Sequence, residues 1–259
     1  MQKITIKKIL QKKNKAPIVC LTSYLKNTAA IADKYCDIIL VGDSLGMVLY
    51  GMKSTRDVKI ETMMLHAKAV KSAAKKSLVV FDMPYRTYTN KFVAYKNAKM
   101  VMKFTKCDAI KLEGGKKIIN IIKYLIKKKI PVMGHIGLLP QSTNNFRVKG
   151  KEFAEQKKIF DDAITISKTG IFAIIIECVV EALAKSITNK VAIPTIGIGA
   201  SKFCDGQILV AEDMLGLGDF SPRFVKRYAN LNKIMEKSIK SYAKDVKMRR
   251  FPYLKNTYI

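Results

Sequence analysis

The chain has 259 residues, 49% of them apolar, a formal net charge of +28 and five cysteines. That length and apolar content suffice for one large core, and Cys20, Cys36, Cys107, Cys178 and Cys204 are too scattered for a disulfide framework or a zinc knuckle, so reduced thiols in a cytoplasmic protein are expected. Lysine is spread over the whole length while arginine is scarce, which favours a solvated lysine-rich surface over a dedicated nucleic-acid surface, and from the lysine-interrupted start and short apolar runs neither a signal peptide nor a membrane partner is expected.

After an N-terminal extension over residues 1–16, short β-branched runs alternate with segments of helical spacing. Strands are predicted at Pro17–Tyr24, Asp37–Ser44, Ser77–Pro84, Ala109–Gly114, Pro131–Leu139, Ala173–Val179, Pro194–Ala200 and Gln207–Ala211. Helices are predicted at Thr28–Tyr35, Glu61–Lys76, Lys91–Thr105, Lys116–Lys129, Glu152–Thr169 and Glu181–Asn189. The strands have no polar face, as in a parallel sheet covered on both sides. Eight of them in alternation with helices predict a (β/α)8 TIM-type barrel, a single domain over residues 1–259 with a basic helix and tail from about residue 222. One irregularity stands out: Ser201–Gly206 is too short for a crossover helix between the last two strands. The tail from Lys226 onward interleaves basic and aromatic residues and reads as a surface helix with a frayed end.

Four of the apolar runs end in a carboxylate, at Asp43, Asp82, Glu113 and Glu177. In a barrel such strand-end side chains share one mouth, so Asp43, Ser44, Asp82, Lys111, Glu113, His135 and Glu177 are expected to converge. Asp43 and Asp82 suit a hard cation such as Mg²⁺, which takes one or two protein carboxylates; the competing reading is that each caps a turn. Lys111 and Glu113 alternate with apolar neighbours and therefore point inward, either as a buried ion pair or with the ammonium on an anionic oxygen. His135 is retained for its strand-end position, whereas His66 lies in a helix and reads as structural. Glu177 closes an apolar strand, where desolvation favours a general base or a partner for a buried cation.

The stretches Leu21-Thr22-Ser23-Tyr24, Val41-Gly42-Asp43-Ser44-Leu45-Gly46-Met47, Asp82-Met83-Pro84, Lys111-Leu112-Glu113-Gly114-Gly115, Pro131–Leu138, Pro140-Gln141-Ser142, Ile196–Ala200 and Cys204–Val210 resemble the 3-methyl-2-oxobutanoate hydroxymethyltransferase family, which forms ketopantoate in pantothenate synthesis. The resemblance runs in order from about Ala16 to Leu217. It implies a Mg²⁺-dependent (β/α)8 enzyme that moves a one-carbon unit from 5,10-methylenetetrahydrofolate to a branched 2-oxo acid through a metal-stabilised enolate. By the same resemblance Asp43 and Asp82 are metal ligands, Glu113 an acid at the metal, Ser44 and Lys111 contacts to the oxo acid, Glu177 the base and His135 a supporting residue. A homo-oligomer, a decameric ring by family analogy, with small-molecule partners only, is also implied.

The chain departs from the family pattern at three places: Leu25-Lys26 follow Tyr24 where an acid is expected, residues 142–150 lack a glycine pair and a tyrosine, and Val180 replaces a proline. Two other functions remain compatible with the residues alone. One is a metal-dependent lyase or mutase of 2-oxo acids without folate; the other is a basic barrel binding nucleic acid through its tail.

Overall fold

The computed structural model describes residues 2–143, 146–218 and 221–258. Residues 1–210 and 211–259 form two compact units. In the first unit eight parallel strands close a barrel in sequence order: β1 (Ile18–Thr22), β2 (Ile38–Val41), β3 (Leu78–Asp82), β4 (Ala109–Glu113), β5 (Val132–Gly137), β6 (Ala173–Glu177), β7 (Thr195–Ile198) and β8 (Gly206–Leu209). The unit begins with α1 (Ile6–Gln11), and the connections carry α2 (Lys26–Tyr35), a single-turn α3 (Leu45–Val48), α4 (Ile60–Ala73), α5 (Lys91–Thr105), α6 (Ile119–Lys127), α7 (Phe153–Ser167) and α8 (Glu181–Lys190). The second unit holds α9 (Ala211–Leu215) and the 17-residue α10 (Leu231–Lys247).

All eight expected strands form; seven are trimmed where flanking residues turn out of the ladder, while the eighth starts one residue early at Gly206 and stops at Leu209, because Ala211 opens a helix. Asp43 and Ser44, expected in the second strand, lie in the turn between β2 and α3, with Ser44 at the N-cap position of α3. The predicted helix from Lys116 opens with a tight turn over Lys116–Ile118 before α6 begins. Three helices among the described residues had no periodic signal: α1, α3 and α9 are six, four and five residues long, too short to display a repeat.

Alternation on each strand sorts residues between two cores. Ile39, Val41, Val79, Phe81, Ile110, Leu112, Ile174 and Ile176 face the helices and pack with Ala67, Val70, Ala98, Val101, Ile122, Leu125, Ala163 and Ile187. Ile38, Leu40, Leu78, Val80, Ala109, Met133, Ala173, Ile175 and Ile196 fill the barrel interior. Each large apolar side chain buried this way contributes about 1.5–3 kcal/mol. The inward parity that ends in Val80 continues at Asp82, and that of Ala109 at Lys111 and Glu113, so the same alternation that builds the core aims the polar residues into the mouth.

The amino-terminal segment belongs to the inner core, with Ile4 and Ile9 buried against it. Lysines around α1 pair with aspartates that immediately precede strands: Lys3 with Asp108, Lys12 with Asp37 at 2.7 Å, and Lys13 with Asp205 at 2.8 Å. Asp205 also resolves the short link before β8. Its carboxylate accepts from Thr195 N (2.8 Å), Thr195 Oγ1 (3.0 Å) and Asn14 N (3.0 Å), so side-chain hydrogen bonds hold β7 beside β8 where no crossover helix fits.

Candidate active site

Six of the seven expected residues meet at the carboxyl end of the barrel, and the register explains how. Adjacent strands pair Asp82 with Lys111, Glu113 with His135, and Gly137 with Glu177. Lys111 Nζ donates to Asp82 Oδ2 at 2.7 Å, with both side chains almost wholly buried. His135 lies between two acids, its Nε2 3.2 Å from Glu177 Oε2 and its Nδ1 3.8 Å from Glu113 Oε2. Neither ring nitrogen is aligned for a hydrogen bond within the described residues. Asp43 joins from its turn, its backbone N–H reaching Asp82 Oδ2 at 3.5 Å. Ser44 sits beside this group with its hydroxyl engaged by Tyr24 Oη at 2.7 Å.

The loops enforce this arrangement. Gly137 has φ of +93°, and a Cβ there would stand 2.3 Å from the Glu177 carbonyl oxygen, so only glycine permits the close approach of β5 to β6 at that level. Cys178 takes a left-handed backbone with φ of 49°, and the chain leaves the strand immediately after Glu177. Glu177 keeps 19% side-chain exposure at the mouth, while Glu113 and Asp82 are at 2%.

Burial sets the electrostatics. Desolvation first, then the neighbouring Asp82, pushes Asp43 up to about 7 against the opposing pull of Lys111 and Gln141. Desolvation likewise pushes Glu113 up to about 8. Burial alone would discharge Lys111, but Asp82, Asp43 and Glu113 surround it and raise its pKa, so it stays an ammonium. His135 shifts down through burial and the Lys111 charge, which keeps the imidazole neutral.

Sequence reasoning assigned no role to Gln141, a buried residue in the loop after β5. Its Nε2 donates to Asp43 Oδ2 at 2.8 Å and to the Met83 carbonyl at 3.0 Å, and its backbone N–H donates to Glu113 Oε2 at 3.2 Å. Tyr88 Oη donates to its Oε1 and to the Glu113 carbonyl, and Arg56 Nε donates to its carbonyl oxygen at 2.9 Å. A polar residue in a loop carries no periodicity, so only its place in the motif Pro140-Gln141-Ser142 marked it. His66 is structural, as expected: Nδ1 donates to the Tyr24 carbonyl at 2.8 Å and Nε2 accepts from Tyr50 Oη at 2.9 Å. Of the altered loop 142–150, residues 144 and 145 lie outside the described residues.

Asp82 Oδ1 and Glu113 Oε1 are buried with no hydrogen-bond partner among the described residues. Such orphaned oxygens cost about 1–3 kcal/mol each or more when charged, and they fit a site built to receive a cation or a donor from a ligand. Among the described residues no three acids, histidines or cysteines stand together as a ready-made metal cage. Glu113, expected at the metal, directs Oε2 to the Gln141 N–H and keeps Oε1 open, as Asp82 directs Oδ2 to Lys111 and keeps Oδ1 open, so both acids offer an oxygen to a hard cation such as Mg²⁺ beside Asp43, with the remaining positions left to water and substrate. Chemically, the mouth offers two carboxylates for a hard cation, a fixed ammonium for an anionic oxygen and a reachable carboxylate backed by neutral imidazole.

Comparison with known proteins bears directly on this site. The profile of the family described as Ketopantoate hydroxymethyltransferase matches residues 3–253. The 3-methyl-2-oxobutanoate hydroxymethyltransferase of Pelagibacter ubique is 54% identical over 255 residues, covering 97% of this chain and 99% of that protein. Its counterpart from Bartonella tribocorum is 49% identical over 262 residues, covering 100% and 97%. Among solved structures, a phosphonopyruvate hydrolase complexed with oxalate and Mg²⁺ superposes with a TM-score of 0.63 at 11% identity, covering 98% of this chain and 93% of that one. A 2,3-dimethylmalate lyase of the PEP mutase/isocitrate lyase superfamily gives 0.63 at 11% identity, covering 98% and 88%. At that identity the two structures share the barrel fold alone.

Proposed function

The chain belongs to the ketopantoate hydroxymethyltransferase family, and we propose that it transfers a hydroxymethyl group from 5,10-methylenetetrahydrofolate to 3-methyl-2-oxobutanoate, forming 2-dehydropantoate for pantothenate and coenzyme A synthesis. The observation that carries this reading is the convergence, at one barrel mouth, of the Asp43–Asp82 pair, the Lys111 ammonium and the His135–Glu177 pair. Membership of the family supports the substrate assignment. The same reading carries a cytoplasmic homo-oligomer, a decameric ring by family analogy, whose partners are small molecules. No helix among the described residues is long and apolar enough to cross a membrane.

Asp43 and Asp82 would hold Mg²⁺, with Glu113 as a nearby acid; when bound, the ion supplies positive charge against the keto and carboxylate oxygens of the oxo acid. Lys111 is held charged and inside the barrel, where it meets an anionic oxygen with no solvent to screen the attraction. Glu177, the acid with the most exposed side chain at the mouth, takes the C3 proton. The C–H electron pair becomes the C2–C3 double bond of an enolate and the keto oxygen takes the charge. C3 bonds to the folate methylene as one of its two C–N bonds breaks, water then displaces the other folate nitrogen from that carbon and becomes the hydroxyl, and the proton held by Glu177 and the one lost by water go to the two folate nitrogens as tetrahydrofolate leaves. Neutral His135, its Nε2 3.2 Å from Glu177 Oε2, walls that carboxylate on the buried side without cancelling its charge. A positioned base of this kind is worth about 10²–10⁴ in rate, or roughly 3–5 kcal/mol.

The test is exchange of the C3 proton of 3-methyl-2-oxobutanoate for deuterium in the presence of Mg²⁺. Glu177→Gln is expected to slow it by about 10²–10⁴. Exchange at the wild-type rate would remove Glu177 from the role of base, and turnover indifferent to the folate donor would remove the transferase reading.

A further inference from the structure

Gln141 takes part in five hydrogen bonds that reach three segments outside its own loop, and the direction of each fixes the next. Nε2 faces two acceptors, Asp43 Oδ2 and the Met83 carbonyl, while Oε1 faces the Tyr88 hydroxyl. Turning the amide over would set its oxygen against two acceptors, the Asp43 carboxylate and the Met83 carbonyl, so the network favours this orientation. The main chain of the same residue is clamped by Arg56 Nε on its carbonyl and by Glu113 Oε2 on its N–H. One residue thus spans the turn after β2, the end of β3, the end of β4 and the loop after β5.

We propose that Gln141 is the positioning residue of the cation site: it fixes Asp43 through one carboxylate oxygen, leaves the other for a divalent ion, and sets the spacing between Asp43 and Glu113. The chemistry of the side chain suits that task. A carboxylate that must bind a cation needs a donor to orient it; Asp82 already faces the Lys111 ammonium, and a second lysine or arginine on Asp43 would leave the pair no net negative charge to offer an ion. A neutral amide orients without cancelling charge. Tyr88 in turn orients the amide, and Arg56 reaches only the backbone, 2.9 Å from the Gln141 oxygen, so its charge is not spent on the carboxylates.

This inference rests on the reading that Asp43 and Asp82 hold a divalent ion, and the experiment separates the two. Mn²⁺ is titrated into the metal-free full-length protein by calorimetry, and the Mg²⁺ concentration for half-maximal turnover is measured alongside. Gln141→Met fills the same volume without donor or acceptor and is expected to weaken Mn²⁺ about 10–100-fold. It is expected to raise the half-saturating Mg²⁺ by a similar factor, with kcat at saturating Mg²⁺ recovering to within a few-fold. Tyr88→Phe removes only the hydroxyl that orients the amide, and a smaller weakening in the same direction is expected; it decides the matter if Gln141→Met does not fold. Wild-type Mn²⁺ affinity in the folded variants overturns the positioning role and leaves the two-carboxylate reading intact. Absence of Mn²⁺ binding by the wild-type protein overturns both.

Discussion

The two ends of the barrel use the same residue type for opposite purposes. At the amino end, Asp37, Asp108 and Asp205 each stand one residue before a strand and accept the backbone N–H of the neighbouring strand, from Val19, Val79 and Thr195 respectively. Each is also paired with a lysine near α1, and Asp108 with Lys71 as well. Despite burial, the hydrogen bonds from Lys3 and Lys71 lower the pKa of Asp108. At the carboxyl end, Asp82 and Glu113 retain oxygens with no partner among the described residues, and Asp43 and Glu113 are pushed up rather than down. A carboxylate whose lone pairs are all used holds strands together. One left incomplete in a buried site is poised for a ligand, at a cost in stability that the rest of the fold offsets.

Three substitutions probe that contrast. The largest expected effect is at the mouth: Asp43→Asn should cut turnover by about 10³ or more, roughly 4 kcal/mol, while the metal-free thermal midpoint stays the same or rises because a desolvated charge is gone. A marked loss of stability in that variant would place Asp43 with the structural acids. At the floor, Asp108→Ala leaves Lys71 half-buried without its partner and the Val79 N–H unpaired, and should cost about 2–4 kcal/mol in denaturant unfolding with little change in kcat of the folded fraction.

Glu212, in the second unit, sharpens the rule by breaking it. Its Oε2 is buried without a partner among the described residues, and desolvation raises its pKa to about 7, yet no catalytic group is assigned beside it. A carboxyl raised in the folded state holds a proton that the unfolded chain gives up near pH 4.5. Its contribution to stability is therefore complete at low pH and lost as pH rises through about 7. Glu212→Gln should stabilise by about 1–3 kcal/mol at pH 8 and change little at pH 4, measured by urea unfolding. An equal effect at both pH values would show that the carboxyl is not the source of the strain.

Much of the site was legible before any coordinates, and the residues show why. Lys111 and Glu113 flank Leu112 on a strand whose other neighbours are apolar, and period-two alternation leaves them one direction to point. Asp82 and Glu177 close runs without a polar face, which marks strand ends in a sheet covered on both sides. What escaped is equally specific. Gln141 and Tyr88 lie in loops, where no repeat constrains direction, and their roles exist only through partners 25 to 98 positions away. The lysines around α1 are indistinguishable in the sequence from those spread over the rest of the chain, because a lysine pattern does not reveal which aspartate lies opposite.

The amino-acid order by itself determined the eight strands, their parallel arrangement and the inward set of charged side chains, because burial on two faces and the two-residue repeat are local properties of the chain. Tertiary structure decided which oxygens are satisfied and which are left open, which cation faces which acid, and how β7 reaches β8 without a helix. Those depend on distances between segments brought together only when the barrel closes, and hydrogen-bond and Coulomb energies change over a few tenths of an ångström to a few ångströms, a scale that no spacing in the sequence encodes.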